Sequence, residues 1–183
     1  MRRRPPKVTV AAVLALVVVA GGCARVQSEA APTCVPKGPD TLALVAQSVP
    51  TASKVPCISS YPAGWHFASM SVERGRSKFT LDSDRAGISA VRVTLEEVCD
   101  VEGATEISSD EPDTRRFERI ISVVDDFKAV RSYLFDGGCT TFEFDFDRQG
   151  RALVNEVSVA IGFIDRTAID ALVRQRSNGE LHL

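Results

Sequence analysis

The chain of 183 residues contains five cysteines, and this odd number restricts the folds that are open to it. Disulfide bonds form and persist in oxidising compartments, and they use cysteines in pairs. If the chain folds in such a compartment, one cysteine needs a role other than pairing. Cys23 differs from the other four because it directly follows a long apolar run.

The first 22 residues have the pattern of an export signal. Basic residues at positions 2–4 and 7 precede an uncharged apolar run over residues 8–22. As a helix this run reaches about 22 Å at roughly 1.5 Å per residue, short of the roughly 30 Å hydrocarbon core of a bilayer. The length is typical of a signal peptide rather than of a transmembrane helix.

The residues just before Cys23 are small, as a protease that cuts an extended backbone requires. The segment Ala20-Gly21-Gly22-Cys23 resembles the lipobox of bacterial lipoprotein precursors. In that family signal peptidase II cuts before the cysteine, whose thiol receives diacylglycerol. The resemblance implies that residues 1–22 are a signal peptide and that Cys23 anchors the protein to the cell membrane, facing outside the cytoplasm. An uncleaved anchor and an ordinary secretory signal remain the alternatives.

Removing Cys23 from the count leaves an even number of cysteines for disulfide bonds. Four cysteines allow three pairings, and the sequence alone does not choose among them. We favour Cys34–Cys57 with Cys99–Cys139, because each bridge then closes one contiguous segment. Free buried thiols are the alternative. The spacings lack a paired-ligand motif and the chain has two histidines, which disfavours a zinc site.

Composition and charge indicate a globular domain that does not bind nucleic acid. Hydrophobic residues make up 44% and charged residues 25% of the chain. The formal net charge is −2, and without the four basic residues of the signal segment it becomes about −6. Nucleic-acid phosphates require clustered lysine and arginine, which an acidic domain of this kind does not supply.

The start of the mature chain is predicted to be a short tether followed by a single domain. Residues 23–38 lack apolar periodicity and contain Pro32 and Pro36, which is typical of a linker. From Asp40 the apolar residues recur at helical spacing up to Pro50, and they predict a short helix. We therefore assign residues 39–183 to one disulfide-bonded domain.

Alternation of apolar and polar residues predicts five strands in the middle of the chain. They are centred on residues 79–81, 91–95, 116–124, 129–135 and 140–146. The connections between successive strands are short, which indicates an antiparallel meander rather than parallel βαβ units.

After residue 150 the apolar spacing returns to the helical period. One predicted helix has Val157 and Ile161 on a single face, and a second begins after Asp165 and carries Ile169. The predicted fold class is therefore α+β. An antiparallel meander of about five strands is covered by two C-terminal helices and preceded by a short N-terminal helix.

Two acidic motifs are candidates for cation binding, and both favour a structural interpretation. DSDRAG, residues 82–87, begins like a calcium loop, but its twelfth position is Val93 instead of glutamate, so it predicts a hairpin turn. FEFDFD, residues 142–147, places carboxylates about 6.8 Å apart along one strand face, too far to share an ion. We expect that face to be solvated and paired with cross-strand Arg131 or Arg119. No metal and no cofactor is predicted.

An aromatic segment near residue 65 is the candidate ligand surface. Tyr61, Trp65 and Phe67 lie within seven residues and could stack on a sugar or a peptide. His66 lies among them, but no nucleophile-elbow motif, glycine-rich phosphate loop or HExxH pattern accompanies it. No catalytic residue is assigned.

These patterns favour an extracytoplasmic lipoprotein whose domain binds a small ligand or a protein of the cell envelope and catalyses no reaction. The alternative is an envelope hydrolase that uses carboxylates or His66. A filled interior with a shallow binding surface would favour the first hypothesis, and a deep pocket with convergent acids the second.

Overall fold

The computed structural model describes residues 26–28, 30–35, 40–147 and 150–183. It has the predicted α+β class, with strands that are paired antiparallel in both of its sheets. The helices are α1 (Asp40–Ser48), α2 (Arg151–Ala160) and α3 (Arg166–Arg176). The strands are β1 (Val26–Ser28), β2 (Lys54–Ile58), β3 (Trp65–Glu73), β4 (Arg76–Ser83), β5 (Gly87–Glu96), β6 (Thr105–Ile107), β7 (Arg115–Ser122), β8 (Phe127–Phe135), β9 (Gly138–Phe146) and β10 (Ile161–Asp165).

Eight of the strands form one antiparallel sheet with the order β1-β3-β4-β5-β9-β8-β7-β6. Cross-strand partners share a face, so the register defines an apolar inner face and a polar outer face. Buried inner-face residues include Phe79, Leu81, Val91, Val93, Leu95, Phe127, Tyr133, Phe142, Phe144 and Phe146. Their alternation is the pattern that predicted β4, β5, β8 and β9.

A second layer covers the inner face and closes the core. It consists of the three helices and of a two-stranded antiparallel sheet, β2 with β10. Buried side chains from this layer include Leu42, Val45, Val49, Val55, Val157, Ile161 and Ile169. Each large apolar side chain buried in this way contributes about 1.5–3 kcal/mol to the free energy of unfolding.

The strand count exceeds the predicted five, and the small sheet accounts for part of the difference. The segment around Pro56 belongs to no predicted strand or helix, but it is β2, whose five residues are all buried. Ile161 was expected on the first C-terminal helix. It is instead the first residue of β10 and pairs with Ile58. Strand β2 is buried on both faces and lacks the alternation that marks a half-exposed strand. The apolar residues of β10 continue the helical spacing of α2, so this segment carried no strand signal either.

Both favoured disulfide bonds are present. Cys34 is bonded to Cys57, and Cys99 is bonded to Cys139. The first bridge fastens residues 30–35 to β2, where Cys34 also donates its backbone N–H to the carbonyl of Ile58 at 3.0 Å. The second joins the segment after β5 to the start of β9.

Part of the segment predicted as a tether belongs to the fold. Strand β1 pairs with β3, with Val26 opposite Val72, and Thr33 forms a parallel bridge with Ile58. This pairing was not predictable from the sequence, because a segment with prolines and no apolar periodicity carries no strand signal. The predicted signal peptide and Cys23 lie outside the described residues.

The outer face of the sheet is solvated and held by cross-strand ion pairs. Glu143 accepts a hydrogen bond from Arg92 at 2.6 Å, and Asp145 lies 3.2 Å from the Lys128 ammonium. The FEFDFD motif thus presents its carboxylates as expected. Of the two partners expected from sequence, Arg131 was wrong, because it lies opposite Phe142 on the inner face. Arg119 lies on the outer face, but its guanidinium donates to the Glu102 carbonyl.

Candidate functional site

A cleft of about 400 Å³ opens on the inner face of the large sheet, between β7, β8 and α2. We call it the β7–α2 cleft. Its apolar walls include Phe127, Ala129, Phe144 and Val154, which come from β8, β9 and α2. The volume is within the range of small-molecule sites, which is roughly 300–1,000 Å³.

The floor of the cleft follows three cross-strand pairs of β7 and β8. From one end to the other they are Arg116 with Tyr133, Glu118 with Arg131, and Ile120 with Ala129. The cleft therefore has a charged end and an apolar end along the strand direction. The first and third pairs are four residues apart, a span of about 13 Å.

Arg131 is a buried cation at the centre of this floor, with its side chain 7% exposed. Its Nε donates to Glu118 at 2.5 Å and its guanidinium donates to the Ser158 hydroxyl of α2 at 2.6 Å. The guanidinium carbon also lies 5.7 Å from the centroid of the Phe144 ring, within cation–π distance. These contacts connect α2 to the sheet and position one side of the cleft.

Arg116 provides the second cation of the floor. Its guanidinium nitrogens lie 2.9 Å from Asp110 and 3.4 Å from Glu118. Its buried Nε has no hydrogen-bond acceptor within the described part of the chain. A buried donor without an acceptor costs about 1–3 kcal/mol, so the fold retains this arginine at an energetic cost.

Protonation states at the charged end follow from burial and hydrogen bonding. Burial raises the pKa of Tyr133 to about 12, and its hydroxyl donates to Asp110 at 2.9 Å. Burial alone would raise the pKa of Asp110, but hydrogen bonds from Arg116 and Tyr133 outweigh it and lower that pKa. Burial likewise opposes the charge of Arg116, but the Asp110 partner raises the pKa of the guanidinium above its usual value. At neutral pH, Asp110 is therefore an anion and Tyr133 a neutral donor.

The charged groups of the cleft are paired. Arg131 and Arg116 share Glu118, and Arg116 also pairs with Asp110, so two carboxylates face two guanidinium groups. Arg119 also lines the cleft, but its position opposite Val130 places it on the outer face, and its guanidinium donates to the Glu102 carbonyl at 2.7 Å. The cleft therefore offers polar groups of both charges beside its apolar walls.

A second cleft, of about 570 Å³, lies on the outer face and has a different character. Its described lining has as many acids as bases: Glu73, Glu96, Asp100 and Glu143 with Arg76, Lys78, Arg92 and Arg119. Several of these groups pair with one another across the strands, and little apolar surface is available. The β7–α2 cleft is the stronger candidate because it combines apolar walls with a few buried polar groups.

An exposed apolar hairpin extends the apolar end of the β7–α2 cleft. Ile120 and Phe127 line the cleft, and the segment between them carries Ile121, Val123 and Val124, each more than half exposed. Ile120 is half exposed as well, so four of the five positions from 120 to 124 carry exposed apolar side chains. Single exposed apolar residues are common, but a group of this size forms a patch of the kind found at binding surfaces.

The aromatic residues proposed from sequence do not form a common exposed surface. Trp65 is 4% exposed, packs edge-on against Phe146, and donates its indole N–H to Glu156 at 3.1 Å. Phe67 packs against the core and Tyr61 is exposed. Trp65 thus completes the core and offers no ring face to a ligand.

His66 lies on the surface near one carboxylate. Its Nε2 is 3.7 Å from Asp82, and its side chain is 58% exposed. DSDRAG forms the hairpin turn between β4 and β5, as predicted.

The sequence contained one signal for the cleft that its first interpretation missed. Phe127, Ala129, Arg131 and Tyr133 occupy alternate positions, so Arg131 had to share the apolar face of β8. A charge in an apolar row indicates a buried ion pair or a binding site. Nothing comparable in the sequence of α2 indicated that this helix lines the cleft.

Within the described ranges, no three His, Cys, Asp or Glu side chains are grouped as a metal site requires. No helix of that part of the chain is long and apolar enough to cross a membrane. Comparison with protein-family models, curated proteins and solved structures finds no match for this chain.

Proposed function

We propose that this chain is a lipid-anchored, extracytoplasmic binding protein of the cell envelope, and that the β7–α2 cleft is its ligand site. The observation that carries the binding role is the combination of apolar walls with two inward arginines, Arg116 and Arg131. The export pattern and the lipobox resemblance at Cys23 support the location. Two disulfide bonds suit a domain that folds in an oxidising compartment.

The position of the cleft suits a protein that is anchored through Cys23. Strand β1 begins only three residues after Cys23, at most about 11 Å of extended chain. Strand β7 lies six places further along the sheet, about 29 Å away laterally. An anchor at Cys23 would hold β1 near the bilayer, and the cleft lies toward the opposite edge of the sheet.

Binding in the cleft is tested by nuclear magnetic resonance with decyl probes of different charge. The full chain carrying Cys23→Ser is titrated with decanol, decanoate and decyltrimethylammonium. We expect at least one probe to shift the amide resonances of Ala129 and Ala152, which line the cleft. Ala152 is exposed on α2, so Ala152→Trp should fill the mouth without disturbing the core and should abolish these shifts.

Val159→Trp is the matched control for this experiment. Val159 lies two turns further along α2, is 80% exposed, and is outside the cleft lining. Its substitution should leave probe binding unchanged. If none of the three probes shifts cleft resonances, or if both tryptophan variants reduce binding equally, the proposed ligand site is wrong.

The anchor is tested by mass spectrometry of the N-terminus of the mature protein. We expect a diacylglyceryl-modified Cys23 as the first residue, and we expect Cys23→Ala to release the protein from the membrane fraction. Acylation adds about 0.8 kcal/mol of membrane affinity per buried methylene, so two acyl chains give stable attachment. Cleavage at another site, or membrane attachment that survives Cys23→Ala, would contradict the lipoprotein assignment.

A further inference from the structure

The charges on the floor of the β7–α2 cleft cancel, and the apolar surface continues beyond one end of the cleft. Arg116 and Arg131 face the carboxylates of Asp110 and Glu118. We propose that the ligand of this cleft is an uncharged amphiphile with a hydroxyl head group and a long aliphatic chain. The inference rests on the proposed function and specifies the chemical class that the site accepts.

A charged head group would find its counterions on the floor already paired. Arg131 donates to Glu118 at 2.5 Å, and Arg116 lies 2.9 Å from Asp110. The side chain of Arg131 is 7% exposed, so removing its carboxylate partner would leave a charge buried without compensation. An ionic head group would lose its own hydration and then either stay unpaired or displace one member of a pair. An uncharged head group avoids both costs.

The polar end can hydrogen-bond a hydroxyl without losing its ion pairs. The bonds of Arg131 to Glu118 and Ser158 use only part of its N–H donors, so this arginine can donate to a further oxygen. Both arginines contact Glu118 through Oε1, which leaves Oε2 of this partly exposed carboxylate for another donor. A hydroxyl both accepts and donates, so it matches the two groups together.

The aliphatic chain is assigned to the opposite end, where the surface remains apolar beyond the cleft. Ile120 and Phe127 form the base of the β7–β8 hairpin, whose tip exposes Val123 and Val124. From Glu118 to the end of β7 the strand covers about 13 Å. A butyl chain, with three C–C bonds of about 1.5 Å each, is too short for this span, and a decyl chain, with nine, covers most of it. A long chain would therefore remove apolar side chains from water.

The test compares affinities of probes that differ in one feature at a time, by nuclear magnetic resonance titration of the full chain with Cys23→Ser. Decanol and 1-decanoylglycerol carry hydroxyl head groups, 1-methoxydecane keeps the oxygen but cannot donate, decanoate and decyltrimethylammonium carry opposite charges, and butanol shortens the chain. All are used at neutral pH and below their critical micelle concentrations. We expect at least one decyl hydroxyl probe to bind about tenfold or more tightly than either charged probe. Decanol should bind about threefold or more tightly than 1-methoxydecane and about tenfold or more tightly than butanol.

Glu118→Gln tests whether the paired charges set this preference. Glutamine keeps the shape of the side chain but leaves Arg116 and Arg131 with Asp110 as their one remaining carboxylate partner on the floor. We expect the affinity for decanoate relative to decanol to rise about tenfold or more. Glu143→Gln is the matched control, because Glu143 lies outside the cleft lining and pairs with Arg92 on the outer face, and it should leave the ratio unchanged.

The outcomes separate this inference from the proposed function. If decanoate or decyltrimethylammonium binds in the cleft as tightly as both hydroxyl probes, the uncharged head group is wrong and the binding function stands. If 1-methoxydecane binds as tightly as decanol, the hydroxyl is wrong, and if butanol does so, the long chain is wrong. If no decyl probe binds, the proposed function itself fails. The comparison among probes needs no variant, so a Glu118→Gln protein that fails to fold does not prevent a decision.

Discussion

Gly137→Ala is expected to destabilise the domain by about 3 kcal/mol or more, whereas Gly75→Ala should cost only about 1–2 kcal/mol. Both glycines have a positive φ, +69° at Gly137 and +83° at Gly75, so both substitutions carry the strain of a left-handed backbone. They differ in the space around them. A Cβ at Gly137 would lie 1.8 Å from the carbonyl oxygen of Thr51, and a Cβ at Gly75 would have no neighbour within 4 Å.

The contact at Gly137 is with backbone, so it cannot be relieved by rotating a side chain. The β8–β9 hairpin is fastened to the loop before β2: Thr51 donates its hydroxyl to the Gly137 carbonyl at 2.6 Å, and Ser53 donates its N–H to Asp136 at 2.9 Å. Separating the two segments would strain these bonds. Urea unfolding of the two variants beside the unsubstituted protein measures the difference in the free energy of unfolding. Equal losses of stability in the two variants would contradict the close approach of Gly137 to the Thr51 backbone.

Removal of the Cys99–Cys139 disulfide is expected to cost about 4 kcal/mol in the free energy of unfolding. The bridge joins residues that are 40 positions apart, so breaking it releases a long loop in the unfolded chain. Cys139 is also buried at the start of β9. Alanine is the appropriate replacement at both positions because it places no hydroxyl in the core.

The matched control for the disulfide is the double variant Cys34→Ala/Cys57→Ala, which releases a loop of 23 residues. Loop-closure entropy predicts a loss of about 3.4 kcal/mol there, close to that at the longer bridge. Urea unfolding without reductant measures both variants, and addition of dithiothreitol should destabilise each of them less than the unsubstituted protein. An unchanged midpoint for Cys99→Ala/Cys139→Ala would contradict this role of the bridge.

Prediction from sequence succeeded where one side of an element faces the core and the other faces water. Helix α1 and strands β4, β5 and β9 all have this environment, so their apolar residues recur with the period of the element. The apolar residues of β10 directly continue the helical spacing of α2, and β2 is buried throughout, so periodicity did not distinguish either strand. Their identity depends on pairing with each other.

The candidate site was less accessible to sequence reasoning than the fold. Trp65 and Tyr61 are large aromatic residues in a segment that contains proline and glycine, which suggested an exposed surface. In the structure Trp65 closes the core beside Phe146. Arg131 was assigned to the polar face through its expected pairing with the FEFDFD carboxylates, although its own position along β8 places it on the apolar face.

The sequence by itself determined the α+β class and the positions of the central antiparallel strands, and it favoured one of three pairings for four of the five cysteines. Each of these is a local property, carried by a period of two or 3.6 residues or by the order of cysteines along the chain. Only the tertiary structure decided that β2 pairs with β10, that Arg131 is buried against Glu118 and Ser158, and that β7, β8 and α2 leave a cleft between them. These features join segments that are distant in sequence, and their contacts depend on how two layers pack, which local patterns do not encode.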